Sequence, residues 1–160
     1  MFFSKTKNKV ENLWLIREYQ QTDKNAVIDL IRQNTPEYFA PKEEADLSYY
    51  LDNERELYYV LLLHKEIVGC GGINFTKDKN IGKISWDIIH PQHQGKSLGT
   101  RLLKYRIEKL RTIDGIQNLT VRTSQLAYKF YEKKGFILKE IKKDYWAKGY
   151  DMYSMEYNNL

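Results

Sequence analysis

The feature that most constrains this chain is a change of hydrophobic period between residues 83 and 110. Lys83 to His90 reads as a β-strand. If that strand is regular, Ser85, Asp87 and Ile89 share one face and Ile84, Trp86 and Ile88 the other. From Lys96 the period becomes helical: Leu98, Leu102, Leu103, Ile107 and Leu110 form one stripe, with Lys96, Arg101, Lys104, Lys109 and Arg111 mostly off it. The joint is Pro91-Gln92-His93-Gln94-Gly95-Lys96-Ser97-Leu98-Gly99-Thr100, rich in small residues. The first turn of a helix leaves backbone N–H groups without partners at the positive end of its dipole, and these bind phosphate. Gly95 and Gly99 allow close approach, and Lys96 and Arg101 add charge. The turn is not a P-loop, which needs a glycine where His90 stands, nor a dinucleotide fingerprint, which needs three glycines at another spacing. A glycine-containing turn with no ligand is the plain alternative.

The rest of the chain supplies the partners of this unit. Leu13 to Tyr19 reads as a strand. Thr22 and Asp23 suit a helix cap, and Ala26, Val27, Leu30 and Ile31 recur at helical spacing to about Asn34. Pro36 and Pro41 bracket the loop Glu37-Tyr38-Phe39, and a polar helix follows from about Lys42 to Asn53. Leu57 to Leu63 and Ile67 to Thr76 are strands joined by a turn, the second carrying Gly69, Gly71 and Gly72, which suggest a bulge or a close backbone approach. Leu119 to Thr123 is a short strand. Ser124 suits the cap of a helix with Leu126, Ala127, Phe130 and Tyr131 on its inner side, and Gly135 closes that helix. Phe136 to Ile141 and Tyr150 to Tyr157 are the last strands. The order β-α-α-β-β-β-α-β-α-β-β mixes hairpins with crossovers and implies an α/β fold: a mixed, mostly antiparallel sheet of about seven strands with helices on both faces.

Composition bounds the partners. The 160 residues show no linker or repeat, so one domain over 1–160 is expected, with residues 1–10 a polar, loose start. The longest apolar run, Tyr58 to Leu63, is far short of the ~20 residues that span a bilayer. The single cysteine, Cys70, and three histidines exclude an intrachain disulfide and argue against a zinc or other metal site. With no secretory-type apolar start, a cytoplasmic setting is expected, without membrane attachment. The net charge of +5, from 26 basic and 21 acidic residues, suits an anionic partner. No basic arm or RNP-type motif points to nucleic acid.

The chain resembles the GCN5-related N-acetyltransferases (GNAT). Gln94-x-x-Ser97-x-Gly99 is similar to that family's pyrophosphate loop, and His90-Pro91 and the long helix flank it as in the family. Ala127-x-x-Phe130-Tyr131-Glu132-Lys133-Lys134-Gly135-Phe136 is similar to its second signature. The element order agrees from about Leu13 to Tyr157. Two departures stand out: Ser97 replaces a usual glycine, and Ser124 a frequent cofactor-contacting asparagine.

The resemblance implies transfer of acetyl from acetyl-CoA to a primary amine of a small molecule or peptide, directly in a ternary complex. A non-catalytic acyl-CoA binding module on the same fold is the alternative. It assigns the cofactor to Gln94, Gly95, Lys96, Ser97, Leu98, Gly99, Thr100 and Ser124, with the Ile88–Ile89 strand end meeting the acetyl group through the Ile89 backbone. Tyr131 matches the usual general acid, a phenol of pKa about 10 beside the sulfur; otherwise it is core packing. The base is open: Asp87, a lone carboxylate in an apolar strand, Glu37, or water. Glu37 and Tyr38 are candidates to hold the amine. His90 and His93 read as surface histidines and Cys70 as an inert thiol. The aromatic tail Asp144 to Tyr153 suits a hairpin that packs, walls the acceptor pocket or joins a homodimer.

Overall fold

The computed structural model describes residues 13–160. In chain order it contains β1 (Trp14–Glu18), α1 (Lys24–Gln33), α2 (Glu43–Asn53), β2 (Leu57–Leu63), β3 (Glu66–Phe75), β4 (Ile81–Ile89), α3 (Leu98–Arg111), β5 (Asn118–Ser124), α4 (Tyr128–Lys133), β6 (Ile137–Ala147) and β7 (Tyr150–Tyr157). Short 3-10 turns precede α1 (Gln21–Asp23) and α3 (Pro91–His93). The loose start expected over residues 1–10 lies outside the described residues.

One seven-stranded sheet carries the fold, in the order β1-β2-β3-β4-β5-β7-β6. Every neighbouring pair is antiparallel except β4 with β5. This is the α/β architecture expected from the period changes. Alternation along the strands divides the core in two. Val60, Cys70 and Ile88 face α1 and α2, packing on Val27, Ile31, Leu47 and Leu51. Ile73, Leu119, Val121 and Met155 face Leu103, Ile107 and Leu110 of α3 and Tyr131 of α4. The stripe read from the sequence is thus the buried face of α3, each leucine or isoleucine contributing about 1.5–3 kcal/mol by burial.

β4 is not regular. Its pairing with β3 shifts between Cys70 and Gly72, so that Trp86 and Asp87 together oppose Gly71. Trp86 adopts φ 49°, the bulge conformation. The extra residue reverses the alternation. Ile84 packs with the α3 cluster, whereas Trp86 and Ile88 pack with the α1–α2 cluster. Ser85 bonds Asn74, which also bonds Tyr50 of α2. Asp87 and Ile89 still share a face, as expected, but Ser85 lies opposite them and Ile84 joins them.

The helix after β5 also begins later than expected. Its first residue is Tyr128, and Ser124 ends β5, its hydroxyl accepting from the Leu126 N–H at 3.3 Å rather than capping the helix. Leu126 precedes the helix and is 54% exposed, not on its inner side. The C-terminal end matches the expectation: Gly135 has φ 95°, Phe136 N–H reaches Tyr131 O at 3.1 Å, and Gly135 N–H reaches Glu132 O at 3.1 Å. That reciprocal pair is a Schellman closure. It turns the buried Phe136 into the cluster that holds Tyr131.

Gly135→Ala is expected to lose about 1 kcal/mol, because a side chain must adopt a left-handed conformation there. Thermal unfolding checks this: the midpoint should fall by about 2–4 °C.

Candidate active site

β4 and β5 pair only at Ile81–Lys83 with Asn118–Thr120. Beyond those residues they separate, and the gap opens into a cavity of about 1070 Å³ lined by Ile84–Ile89 of β4 and Val121–Ser124 of β5. One end of the cavity reaches the turn before α3, the other reaches α2. His90 N–H bonds Val68 O at 2.8 Å on the β3 side. Successive strand N–H groups point to opposite edges, so the Ile89 N–H faces the opened edge.

At the α3 end, Gly95 (φ 76°) and Ser97 (φ 62°) both take left-handed conformations, and Ser97 is the N-cap of the helix. Arg101 N–H to Ser97 O, 3.0 Å, opens the helical ladder. The N–H groups before it are the partnerless first turn of a helix. Nothing lies within 4 Å of a Cβ built on Gly95, and a Cβ on Gly99 would make ordinary contact, nearest to Phe130 at 3.5 and 3.6 Å and Ile89 at 3.8 Å. The cradle is open to a bulky anion.

Of the residues the sequence points to, Tyr38, Asp87, Ile88, Ile89, Gln94, Gly95, Ser97, Leu98, Gly99, Thr100, Ser124 and Tyr131 line the cavity. Lys96 and Glu37 do not; both are exposed. The Lys96 ammonium lies 3.5 Å from His93 Nδ1. His93 lines the cavity, and partial burial, with the charges of Lys96 and His90, holds its pKa below the usual value. The Gln94 side chain is engaged inside the protein. Its Oε1 accepts from Tyr38 OH at 3.2 Å, and its Nε2 donates to Asn34 Oδ1 at 3.3 Å. Asn34, which the sequence reading passed over, is buried at the end of α1 and donates to Leu30 O (2.8 Å) and Ile89 O (3.2 Å). These bonds clamp the end of β4 to α1.

On the α3 side of the cavity wall, Tyr131 OH donates to Asp87 Oδ2 at 2.5 Å. The two groups read separately as acid and base are therefore one dyad. Asp87 Oδ1 lies 2.5 Å from Arg106 Nη2, an approach off the hydrogen-bond axis, so charge holds it. A Cβ on Gly71 would collide with Asp87 Oδ1 and come 2.8 Å from Arg106 Nη1, so only glycine admits this pair beneath the strand. The Tyr131 phenol is pushed well above its ordinary pKa, first by burial and then by the Asp87 charge, and is a protonated hydroxyl at neutral pH. Arg106 was legible in principle, since it falls three and four residues after Leu103 and Leu102 on the buried stripe.

Toward α2 the lining becomes aromatic and acidic. Phe39 stacks on Trp86 with centroids 6.2 Å apart, and Glu43, Asp46 and Glu54 line the same end. Trp146 lines it from β6. Tyr150 OH bonds Pro36 O at 2.6 Å, tying the β6–β7 hairpin to the loop after α1. Cys70 is buried outside the cavity, its thiol raised to about 12 by burial. Among the described residues no cluster of metal-ligating side chains occurs, and no helix is long and apolar enough to cross a membrane.

This geometry has known counterparts. The family model "Acetyltransferase (GNAT) family" matches residues 25–136, more than half of the chain. The chain belongs to the GNAT acetyltransferase family, whose members are acetyl-CoA-dependent acyltransferases. Solved structures with this fold include the ribosomal-protein-S18-alanine N-acetyltransferase from Escherichia coli. It has 20% identity and a TM-score of 0.76, and the match covers 92% of this chain and 99% of that one. An aminoglycoside 6'-N-acetyltransferase complexed with coenzyme A has 16% identity and a TM-score of 0.75, covering 91% and 97%. An acetyltransferase of GNAT family from Streptococcus pneumoniae has 21% identity and a TM-score of 0.70, covering 91% and 98%. A search of curated proteins found no match.

Burial raises the phenols of Tyr50 and Tyr59 to about 12 and pushes that of Tyr131 well above its ordinary value. In the unfolded chain they ionise near 10. Between those values the unfolded state binds fewer protons, so stability falls as pH rises. Urea midpoints should be lower at pH 11 than at pH 9, and absorbance of tyrosinate at these sites should appear only with unfolding.

Proposed function

We propose that this protein moves an acetyl group from acetyl-CoA to a primary amine of a small molecule or peptide, by direct transfer with both substrates bound. The observation that carries this reading is the opened β4–β5 edge, which runs from the partnerless N–H groups before α3 to the Asp87–Tyr131 dyad. The turn Gly95–Thr100 suits the diphosphate, with Ser97 standing in for glycine by its small size and left-handed backbone. The gap between β4 and β5 suits the pantetheine arm, and the Ile89 N–H suits the thioester oxygen. Gln94 and Ser124 contribute through backbone and shape, because the Gln94 side chain is engaged by Asn34 and Tyr38. Lys96 acts at most through long-range charge.

The reaction forms a C–N bond, breaks the C–S bond and moves one proton from the neutral amine nitrogen to sulfur; a cationic amine first gives up its extra proton to solvent water. The dyad suits both proton steps. The amine proton passes to the Tyr131 oxygen as the phenol proton passes to Asp87, and the reverse movement delivers a proton to the departing thiolate. The exposed position of Glu37, outside the cavity lining, favours Asp87 as the base. Glu43, Asp46 and Glu54, with Trp86 and Phe39, favour a cationic amine at the α2 end.

Thiol release from acetyl-CoA over a panel of amines tests this reading. Turnover is expected with cationic primary amines. Binding of acetyl-CoA with no thiol release from any amine would instead indicate a non-catalytic binding module. Gly99→Asp should weaken acetyl-CoA binding by at least about tenfold in calorimetry, about 1.4 kcal/mol, because it sets negative charge beside the diphosphate without clashing with the protein. Tyr131→Phe should lower kcat by about 10²-fold or more while leaving the acetyl-CoA Kd within about twofold.

A further inference from the structure

Arg106 heads the large, fully buried side chains among the described residues, 0% exposed near the middle of α3. Two of its donors are fixed by backbone carbonyls. Nε donates to Leu102 O at 3.2 Å, one turn earlier in its own helix, and Nη1 donates to Gly72 O at 3.1 Å in β3. The guanidinium plane is therefore set by helix and sheet, and Nη2 is left to face Asp87 Oδ1 at 2.5 Å. The other oxygen of that carboxylate accepts the Tyr131 hydroxyl. The three side chains form a line from the centre of the core to the surface of the cavity. Asp87 reaches it because the bulge at Trp86 re-aims the strand, and Tyr58 OH, bonded to Trp86 O at 3.0 Å, holds that bulge.

The titratable groups that share this region are Tyr131 from α4, Cys70 from β3, Tyr58 from β2 and Tyr50 from α2, all held protonated by burial. Arg106 is thus the cation that faces Asp87. Buried ion pairs are poor stabilisers: desolvation offsets their attraction, and apolar side chains of similar volume often serve as well. An arginine in the centre of an apolar helix face, at a spot where glycine must yield room for it, calls for another reason.

We propose that Arg106 is a positioning residue for acetyl transfer: it holds the Asp87 carboxylate in register with Tyr131, so that the phenol directs its O–H at Asp87 and turns its oxygen lone pairs to the cavity. The proposal rests on the function proposed above and names a residue that touches neither substrate.

The test is a set of variants read in two ways. Arg106→Lys keeps a charge but cannot span two carbonyls and a carboxylate at once. It should lower kcat about tenfold, with acceptor KM and acetyl-CoA Kd within about twofold, and Arg106→Met should lower kcat about a hundredfold. In a Tyr131→Phe background, Arg106→Lys should change kcat less than twofold, since the register it keeps no longer matters. The second reading needs no substrate: with ring-carbon-13 tyrosine, the Tyr131 Cζ resonance should move in Arg106→Lys from its place in the unaltered protein. A folded Arg106→Lys with unchanged kcat and an unchanged Tyr131 resonance overturns the proposal. So does an equal loss of kcat in the Tyr131→Phe background, which would mark a purely structural role. Should Arg106→Lys and Arg106→Met fail to fold, the double variant Arg106→Met with Asp87→Asn replaces the ion pair by neutral groups. Its kcat should equal that of Asp87→Asn alone, and a further fall overturns the proposal. If the unaltered protein releases no thiol with any amine, the proposed function fails, while the Tyr131 resonance still decides the role of Arg106.

Discussion

The structure turns on the point where β4 gives up its parallel partner. Three residues of β4 and three of β5 are paired, and then the strands part. A sheet interior with open hydrogen-bonding edges is costly unless something fills it. The cavity wall, the free amide of Ile89 and the aim of the α3 N-terminus all follow from that parting. The rest of the sheet keeps the gap from closing: β5 is held by β7, and β4 by β3. The ends of the gap are pinned separately, one by Asn34 and Gln94 on Ile89 O, the other by Lys83 and Thr120 in register.

The second organising element is the bulge. A regular β4 would alternate without interruption, as its sequence suggests. With one residue inserted opposite Gly71, Trp86 is turned toward α1 and α2, and Asp87 toward α3 and α4. The aromatic lining at the α2 end of the cavity and the Asp87–Tyr131 pair therefore sit on opposite faces of one bulged segment. Gly71 belongs to the same arrangement, because a Cβ there would occupy the space of the carboxylate.

Much of this was legible in the sequence. The element order follows from the periods of Leu57–Leu63, Leu98–Leu110 and Tyr150–Tyr157, and the helix stop at Gly135 from its single residue. The turn before α3 and Tyr131 were found by small-residue spacing and by the family resemblance. What escaped has a common cause: it depends on contacts between residues distant in the chain. No local pattern shows that Trp86 has a positive φ, that Gln94 reaches Asn34 sixty residues earlier, or that Asp87 meets Arg106. The glycines of β3 gave the one hint, a close backbone approach, without saying to what. Ser124 and Glu37 were placed by motif position and loop position alone. The first is an end-of-strand residue rather than a cap, and the second is exposed and not part of the cavity lining.

The central claim is that amides at the start of α3 and the free edge of β4 receive the acetyl donor. Amide nitrogen-15 resonances recorded while acetyl-CoA is added test it most directly. The account predicts that Gly95, Lys96, Ser97, Leu98, Gly99 and Thr100 shift together with Ile89, and saturate at one ligand per chain. Saturable shifts elsewhere, with these seven amides unmoved, would contradict it.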